Sequence, residues 1–260
     1  ERNIWTAMPD SPYIGNWNNF TVGEVDEIER LFGILGYNIQ DYHNETSHCK
    51  DTTGVENGIG DDIKGLINFV RGKDYFDYDG DCILDEQRKK DGKKAYMSDI
   101  YHSELIVVGK PDAPAVDDGS INSQKKDSYY RLQKNYNNFK NGSSCGGPCR
   151  DRKEVVYAGA NNGILHAFDA SSGEELWGYI PPNVLGNLEK IPSSKANSTN
   201  AIYGIDGSPV VKDIYIDDTP NDSTDNPRWR TVLISGIGAG GHGIFALDIT
   251  DINNPKHFFF

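Results

Sequence analysis

A mainly β chain built from repeated hairpin units, with a small helical lead-in and long inserted loops, is the fold class that this sequence predicts. Three observations predict it. From about residue 99 onward, short apolar runs alternate with turn residues. Two of these stretches, 155–177 and 231–251, align with each other. Helix-type periodicity is confined to the residues before 99 and to one inserted loop. The chain therefore divides into a helical and looped lead-in, 1–98, and a repeat region, 99–260.

The lead-in begins with an irregular stretch, 1–20, in which Trp5, Tyr13 and Trp17 are the anchoring residues. Thr21 and Glu24 have the spacing of a capping box, in which each side chain satisfies the other residue's free N–H. Val25, Ile28, Phe32 and Leu35 then recur at helical spacing, and Gly36 can end that helix. A second helix is expected from Asp61 or Asp62, whose carboxylates suit the positive end of the helix dipole. Ile63, Leu66, Ile67 and Val70 form its apolar stripe, and Gly72 stops it. Between the helices, 37–60 reads as a polar loop. It holds His43, His48 and Cys49, but no fourth zinc ligand stands at a convincing spacing.

The repeat region reads as strands at 105–108, 155–157, 164–168, 209–211, 214–216, 231–234 and 243–247. The Asn161-Asn162-Gly163 turn is a strong hairpin signal, because an Asn-Gly turn places both residues at positive φ. A long insertion separates the first two strands. Its 110–128 stretch is rich in Asp, Pro, Ser and Lys and reads as an exposed loop. Tyr129, Leu132, Tyr136 and Phe139 then predict one short helix, and 140–153 is loop again. Segments 183–202 and 217–228 read as polar loops.

In the internal repeat Gly159 matches Gly236, Ala167 matches Ala246 and Asp169 matches Asp248. Each copy is preceded by a partner strand, HSELIVVG at 102–109 and GSPVVKD at 207–213. Radial repetition of such units makes a β-propeller, which leaves only short, protected sheet edges. Gly159 and Gly236 are expected to let backbones approach, with Gly163 serving the turn. Ala167 and Ala246 are expected to leave room at a crowded centre, Asp169 and Asp248 to cap the turns that follow them, and Trp177 to pack between blades. Two units cannot close a propeller, and the chain stops at His257–Phe260 within an apparent strand. It therefore reads as a partial propeller from a longer protein.

Residues Asp77, Asp79, Asp81 and Asp85 stand at positions 1, 3, 5 and 9 of a loop in which Ile83 offers its carbonyl at position 7. These are the ligand positions of an EF-hand-type calcium loop, where hard oxygens converge on the ion. Gly80 helps the bend. The pattern departs from that loop at Cys82, where glycine is usual, and at Arg88, where the bidentate Glu belongs. Without a cation these carboxylates repel one another. The alternatives are Ca2+, a solvated acidic turn and another metal.

The four cysteines suit two disulfides in an oxidising compartment, or four reduced thiols in the cytosol. Cys145–Cys149 would close a small Gly-Pro loop, leaving Cys49–Cys82 by elimination. The net charge of −13 repels phosphate backbones, so nucleic acid is excluded as a partner. No apolar run approaches the roughly eighteen residues of a membrane span. Glu1 opens without the basic and apolar regions of a signal peptide, so a leader is expected to be absent or already removed. Histidines 43, 48, 102, 166, 242 and 257 are scattered, and no nucleophile elbow or P-loop is present. The glycine-rich run 236–241 leads into a strand rather than a helix N-terminus, which argues against a phosphate cradle.

The blocks VVYAGANNGILHAFDASSGEELWGYIPPNVL and DGSPVV…WRTVLISGIGAGGHGIFALDITD resemble the PilC/PilY family of type IV pilus tip-associated proteins. LINFVRG at 66–72 and SDIYHSELIVVG at 98–109 look like that family's lead-in. The resemblance implies a modified seven-bladed propeller and a secreted, non-enzymatic adhesin at the pilus tip, exported through the periplasm and outer membrane. It implies roles in pilus extension, adhesion and twitching motility, tuned by Ca2+. Its partners would be minor pilins of the tip complex and a host-cell or surface ligand. The alternatives are a quinoprotein-type propeller dehydrogenase, which would need an Asp base and stacking Trp residues over the axis, and a propeller scaffold with no pilus link.

Overall fold

The computed structural model describes residues 2–7, 18–26, 28, 66–73, 89–90, 93–94, 97–145, 147, 149–191, 200, 202–217 and 227–259. Its strands, in chain order, are β1 (Ile4–Thr6), β2 (Lys89–Lys90), β3 (Lys93–Lys94), β4 (Ile106–Val108), β5 (Val155–Gly159), β6 (Leu165–Asp169), β7 (Glu175–Ile180), β8 (Val210–Ile216), β9 (Arg228–Gly236), β10 (Ile244–Asp248) and β11 (Lys256–Phe259). β2 and β3 form a small antiparallel pair. The others form two sheets, ordered β1-β7-β6-β5-β4 and β11-β10-β9-β8. Each contains a four-stranded antiparallel meander, the blade unit of a propeller. The chain is mainly β, and two blades make a partial propeller.

The two central hairpins share one register. Gly159, Tyr157 and Val155 face Leu165, Ala167 and Asp169. Gly236, Ile234 and Val232 face Ile244, Ala246 and Asp248. The repeat is therefore structural as well as sequential. The first hairpin's turn differs from the sequence expectation. Among the described residues Gly163 alone of the turn has positive φ, at 77°. Gly163 N–H donates to Ala160 O, and Ala160 N–H to Ile164 O. Those bonds make a three-residue loop ending in a left-handed glycine, which needs no positive φ at either asparagine.

The blades stack face to face. Tyr157, Trp177 and Tyr179 of the first blade are fully buried. The Tyr179 ring lies 5.4 Å from Phe245 of the second blade, and Trp177 Nε1 donates to Ile252 O at 2.9 Å. Ala167 and Ala246 lie on the third strands, β6 and β10, not at an inner edge. Ala167 sits between Tyr157 and Trp177 in the pairing, so its small side chain makes room for those rings within the seam. A Cβ on Gly159 would stand 2.5 Å from Ile205 O, so only glycine permits that approach. Gly236 differs: a Cβ there would meet nothing closer than 3.9 Å, and at this place it is Gly207 that must be glycine, because its Cβ would stand 2.3 Å from Gly236 O.

The N-terminal stretch, expected to be irregular, supplies a fifth strand. β1 pairs parallel with β7, and Trp5 is buried with its ring 4.5 Å from Tyr179. Three residues are too few to show alternation, so the sequence did not signal this strand. The first helix begins as a 3-10 turn, Val22–Glu24, after extended Thr21. The capping box is not formed, since the Thr21 side chain makes no cap bond; Glu24 N–H donates to the Thr21 backbone O instead. Residues 66–70 are helical. Gly72 has φ 94°, with Lys73 N–H to Asn68 O and Gly72 N–H to Phe69 O, the paired bonds of a Schellman stop.

The insertion holds two helices rather than one, α1 (Asp127–Gln133) and α2 (Tyr136–Lys140), broken at Asn135 with φ 54°. Asparagine tolerates that left-handed conformation better than most residues. The stretch 183–202 is not simply a polar loop, because a 3-10 helix spans Pro182–Lys190 and buries Val184, Leu185 and Leu188 in the core. That core joins Phe20, Leu66, Phe69 and Val70 of the lead-in to both blades.

Candidate functional site

Where the blades meet, β4 and β8 flank a cleft of about 570 Å³. Arg152, buried in its wall, donates from Nε to Gly109 O at 2.7 Å and from Nη1 to Thr231 Oγ1 at 2.7 Å. Its Nη2 also donates to Gly109 O. Thr231 Oγ1 in turn donates to Asp213 Oδ1 at 2.6 Å, and the Tyr136 hydroxyl donates to Asp213 Oδ2. Burial, and then the Asp213 hydrogen bond, push the Tyr136 phenol well above its ordinary range. The chain of bonds runs from the first blade through the second to α2. All three guanidinium nitrogens of Arg152 are committed to protein acceptors, so the network fastens the blades together and does not present a reactive group. Arg152, Asp213 and Tyr136 lie far apart in sequence, and no spacing signals that they meet.

A second network ties β1 to the first blade. Arg2 grips Glu175 through Nε at 2.5 Å and Nη2 at 2.7 Å. His166 Nδ1 bonds the same carboxylate at 2.6 Å, and Asn162 stands 3.3 Å from His166 Nε2. Burial alone would raise the Glu175 carboxyl, but the bonds from Arg2 and His166 carry it down to about 2. Burial lowers His166 against the pull of Glu175. The set is therefore an ionised carboxylate between a guanidinium and a neutral imidazole. Arg71 closes the clamp, donating to Arg2 O at 2.6 Å and Phe20 O at 3.0 Å.

The blade residues singled out by sequence occupy equivalent places. Asp169 Oδ1 accepts from the Ser171 N–H at 2.8 Å, and Asp248 Oδ1 from the Thr250 N–H at 2.9 Å. Bonds from Ser171 and then Lys153 hold the Asp169 carboxyl below its usual range. Cys145 and Cys149 are joined as a disulfide with a Cα separation of 6.2 Å, and Cys149 is buried beside Phe139, Tyr136 and Trp229. Asp77, Asp79, Asp81, Ile83 and Asp85, the Cys49–Cys82 pair and His43 and His48 all lie outside the described residues. Among the described residues, no group of three or more His, Cys, Asp or Glu is placed to hold a metal ion. No helix among them is long and apolar enough to cross a membrane. His242 offers its backbone carbonyl to Asn183, and burial lowers His257 to about 4.

Among the described residues, one blade face is open. Val210, Ile234, Ile244 and Phe259 expose apolar side chains on the second blade, at positions whose first-blade counterparts lie in the seam. A patch of this kind on a sheet face marks an interaction surface.

Comparison with known proteins finds relatives of this chain. The family model described as the PilY1 beta-propeller domain matches residues 119–258, which include both hairpins. A type IV pilus biogenesis factor PilY1 from Pseudomonas aeruginosa strain UCBPP-PA14 is 30% identical over 209 residues, covering 75% of this chain and 14% of the relative. A PilY1 homolog from Xylella fastidiosa is 30% identical over 164 residues, covering 63% of this chain and 11% of the relative. The chain thus spans about one seventh or less of the length of these curated relatives. A crystal structure of the P. aeruginosa PilY1 C-terminal domain is 38% identical, covers 42% of this chain and 18% of that one, and has a TM-score of 0.29.

Proposed function

The chain belongs to the PilY1 β-propeller family, and from that premise we propose that it is the leading part of the propeller of a type IV pilus biogenesis factor. It acts without catalysis, in pilus extension, adhesion and twitching motility. The observation that carries this reading is the family match across both hairpins, together with relatives whose names are those of pilus biogenesis factors. The partners it implies are minor pilins of the tip complex and a host-cell or surface ligand. The location it implies is the cell surface at the pilus tip. The open apolar face of the second blade supports a further blade unit packing there, as the second blade packs on the first.

Calcium is part of the same proposal. It rests on the alternate spacing of Asp77, Asp79, Asp81 and Asp85 with the Ile83 carbonyl, a pattern suited to six to eight oxygen ligands. Two experiments test the reading. Sheared pili from the native host should carry the full-length protein, and loss of the protein should deplete surface pili; pili that lack it and assemble normally without it would sink the pilus role. Calorimetric titration with Ca2+ should show one site that an Asp79→Ala, Asp81→Ala variant loses. No heat from a folded protein would reduce the loop to a solvated turn and leave the pilus role standing.

A further inference from the structure

An exposed cluster of rings lies where the segments leading into β4 and β8 meet. Tyr101 is 66% exposed, and Tyr203 and the His102 side chain are also open to solvent. The Tyr101 and His102 rings are 4.2 Å apart. Tyr203 lies 6.3 Å from each, with its plane only 19° from that of His102.

The His102 ring of the cluster is held from beneath. Asp206 is buried, accepts from the His102 N–H at 3.1 Å and bonds His102 Nδ1 at 2.7 Å. With Nδ1 engaged, Nε2 is the other polar atom of the imidazole ring. Both lead-in segments are fastened to the hairpin turns. Asn161 Nδ2 donates to Asp99 Oδ2 at 2.7 Å, and the Gly204 N–H donates to Asn161 Oδ1 at 3.2 Å. The Ile205 N–H reaches Ala160 O and the Asp206 N–H reaches Ile237 O, each at 3.0 Å. The Glu104 N–H donates to Ser208 Oγ at 3.1 Å. A surface so braced loses little freedom when it binds, which is what preorganisation means for affinity.

We infer that Tyr101, His102 and Tyr203 form a stacking site for a neutral saccharide. A sugar ring has an apolar C–H face and a rim of hydroxyls. The cluster offers aromatic faces edged by two phenol hydroxyls and a fixed imidazole, which matches both parts. The segments 97–104 and 202–208 carry Asp99, Glu104 and Asp206 and no Lys or Arg, and the chain carries −13, so an anionic sugar is disfavoured. The inference rests on the rings and their bracing and does not depend on the pilus role.

The test is saturation-transfer NMR on the full-length protein with methyl glycosides of glucose, galactose, mannose and N-acetylglucosamine. A Tyr101→Ala, Tyr203→Ala variant serves as the comparison, with circular dichroism checking its fold. The expected result is transfer to the ring protons of at least one glycoside, with affinity at least about tenfold weaker in the variant, the loss of roughly one ring stack. Two outcomes overturn it: no transfer with any of the four, or equal transfer to the variant.

Discussion

The two blades have the same hairpin register and opposite surroundings. In the first, Tyr157, Ala167 and Trp177 lie side by side and are buried against the second blade. In the second, Ile234, Ala246 and Phe259 occupy the equivalent places, and Ile234 and Phe259 are 41% and 46% exposed. The other faces differ too. The first blade carries His166 where the second carries Phe245, so one contains a charged clamp and the other an apolar contact. Local sequence thus builds the same unit twice, and the neighbour decides what each position is worth.

The largest expected effect sharpens this contrast. Trp177→Ala should destabilise the fold by roughly 3–5 kcal/mol, since it opens a cavity in the seam and removes the bond to Ile252 O. Phe259→Ala, at the equivalent position, should change stability by no more than about 0.5 kcal/mol. Equal losses in urea titrations of the two variants would break the comparison.

Acid should next loosen the first blade through its clamp. The Glu175 carboxyl is depressed to about 2, so its contribution is present above its unfolded value and is lost as pH falls toward 2. That contribution is about 3 kcal/mol at neutral pH. His166, lowered by burial, works in the same direction: the unfolded chain takes up its proton first, so stability falls as pH drops below the ordinary histidine value. Buried His257 on β11, lowered to about 4, makes the second blade acid-sensitive in the same direction. Hydrogen exchange followed from pH 7 to pH 3 should therefore show β5–β7 losing protection in the wild type and much less of that pH dependence in a Glu175→Gln variant; an unchanged pH dependence of β5–β7 in the variant would count against the clamp.

Two glycine substitutions give smaller effects of opposite sign. Gly159→Ala should cost about 2 kcal/mol, because its Cβ would run into the Ile205 backbone. Gly236→Ala meets nothing closer than 3.9 Å and should stabilise by about 0.5 kcal/mol through the unfolded chain. Thermal melts of the pair would decide, and a loss at Gly236 comparable to that at Gly159 would break the contrast between them.

Much of this was legible in the sequence because it is local. Alternating apolar runs, the Gly163 turn, the Gly72 stop and the Asp169 and Asp248 turn caps all depend on residues within a few positions of one another. The register shared by the hairpins followed from the aligned Gly, Ala and Asp residues. The capping box was misleading because the Thr21 backbone, rather than its hydroxyl, took the Glu24 N–H. The single insertion helix became two because Asn135 accepts a left-handed turn that periodicity does not register.

The sequence by itself determined the units, their repetition and their class, since a hairpin is specified by side-chain alternation and turn chemistry over about twenty residues. Only the tertiary structure decided that β1 completes the first sheet, that Arg152, Asp213 and Tyr136 meet across blade 1, blade 2 and the insertion, and that Asp206 braces an exposed ring cluster. These hydrogen bonds join residues 77 to 173 positions apart along the chain. Pairing at such distances is selected by the packing of the whole core, which no local pattern encodes.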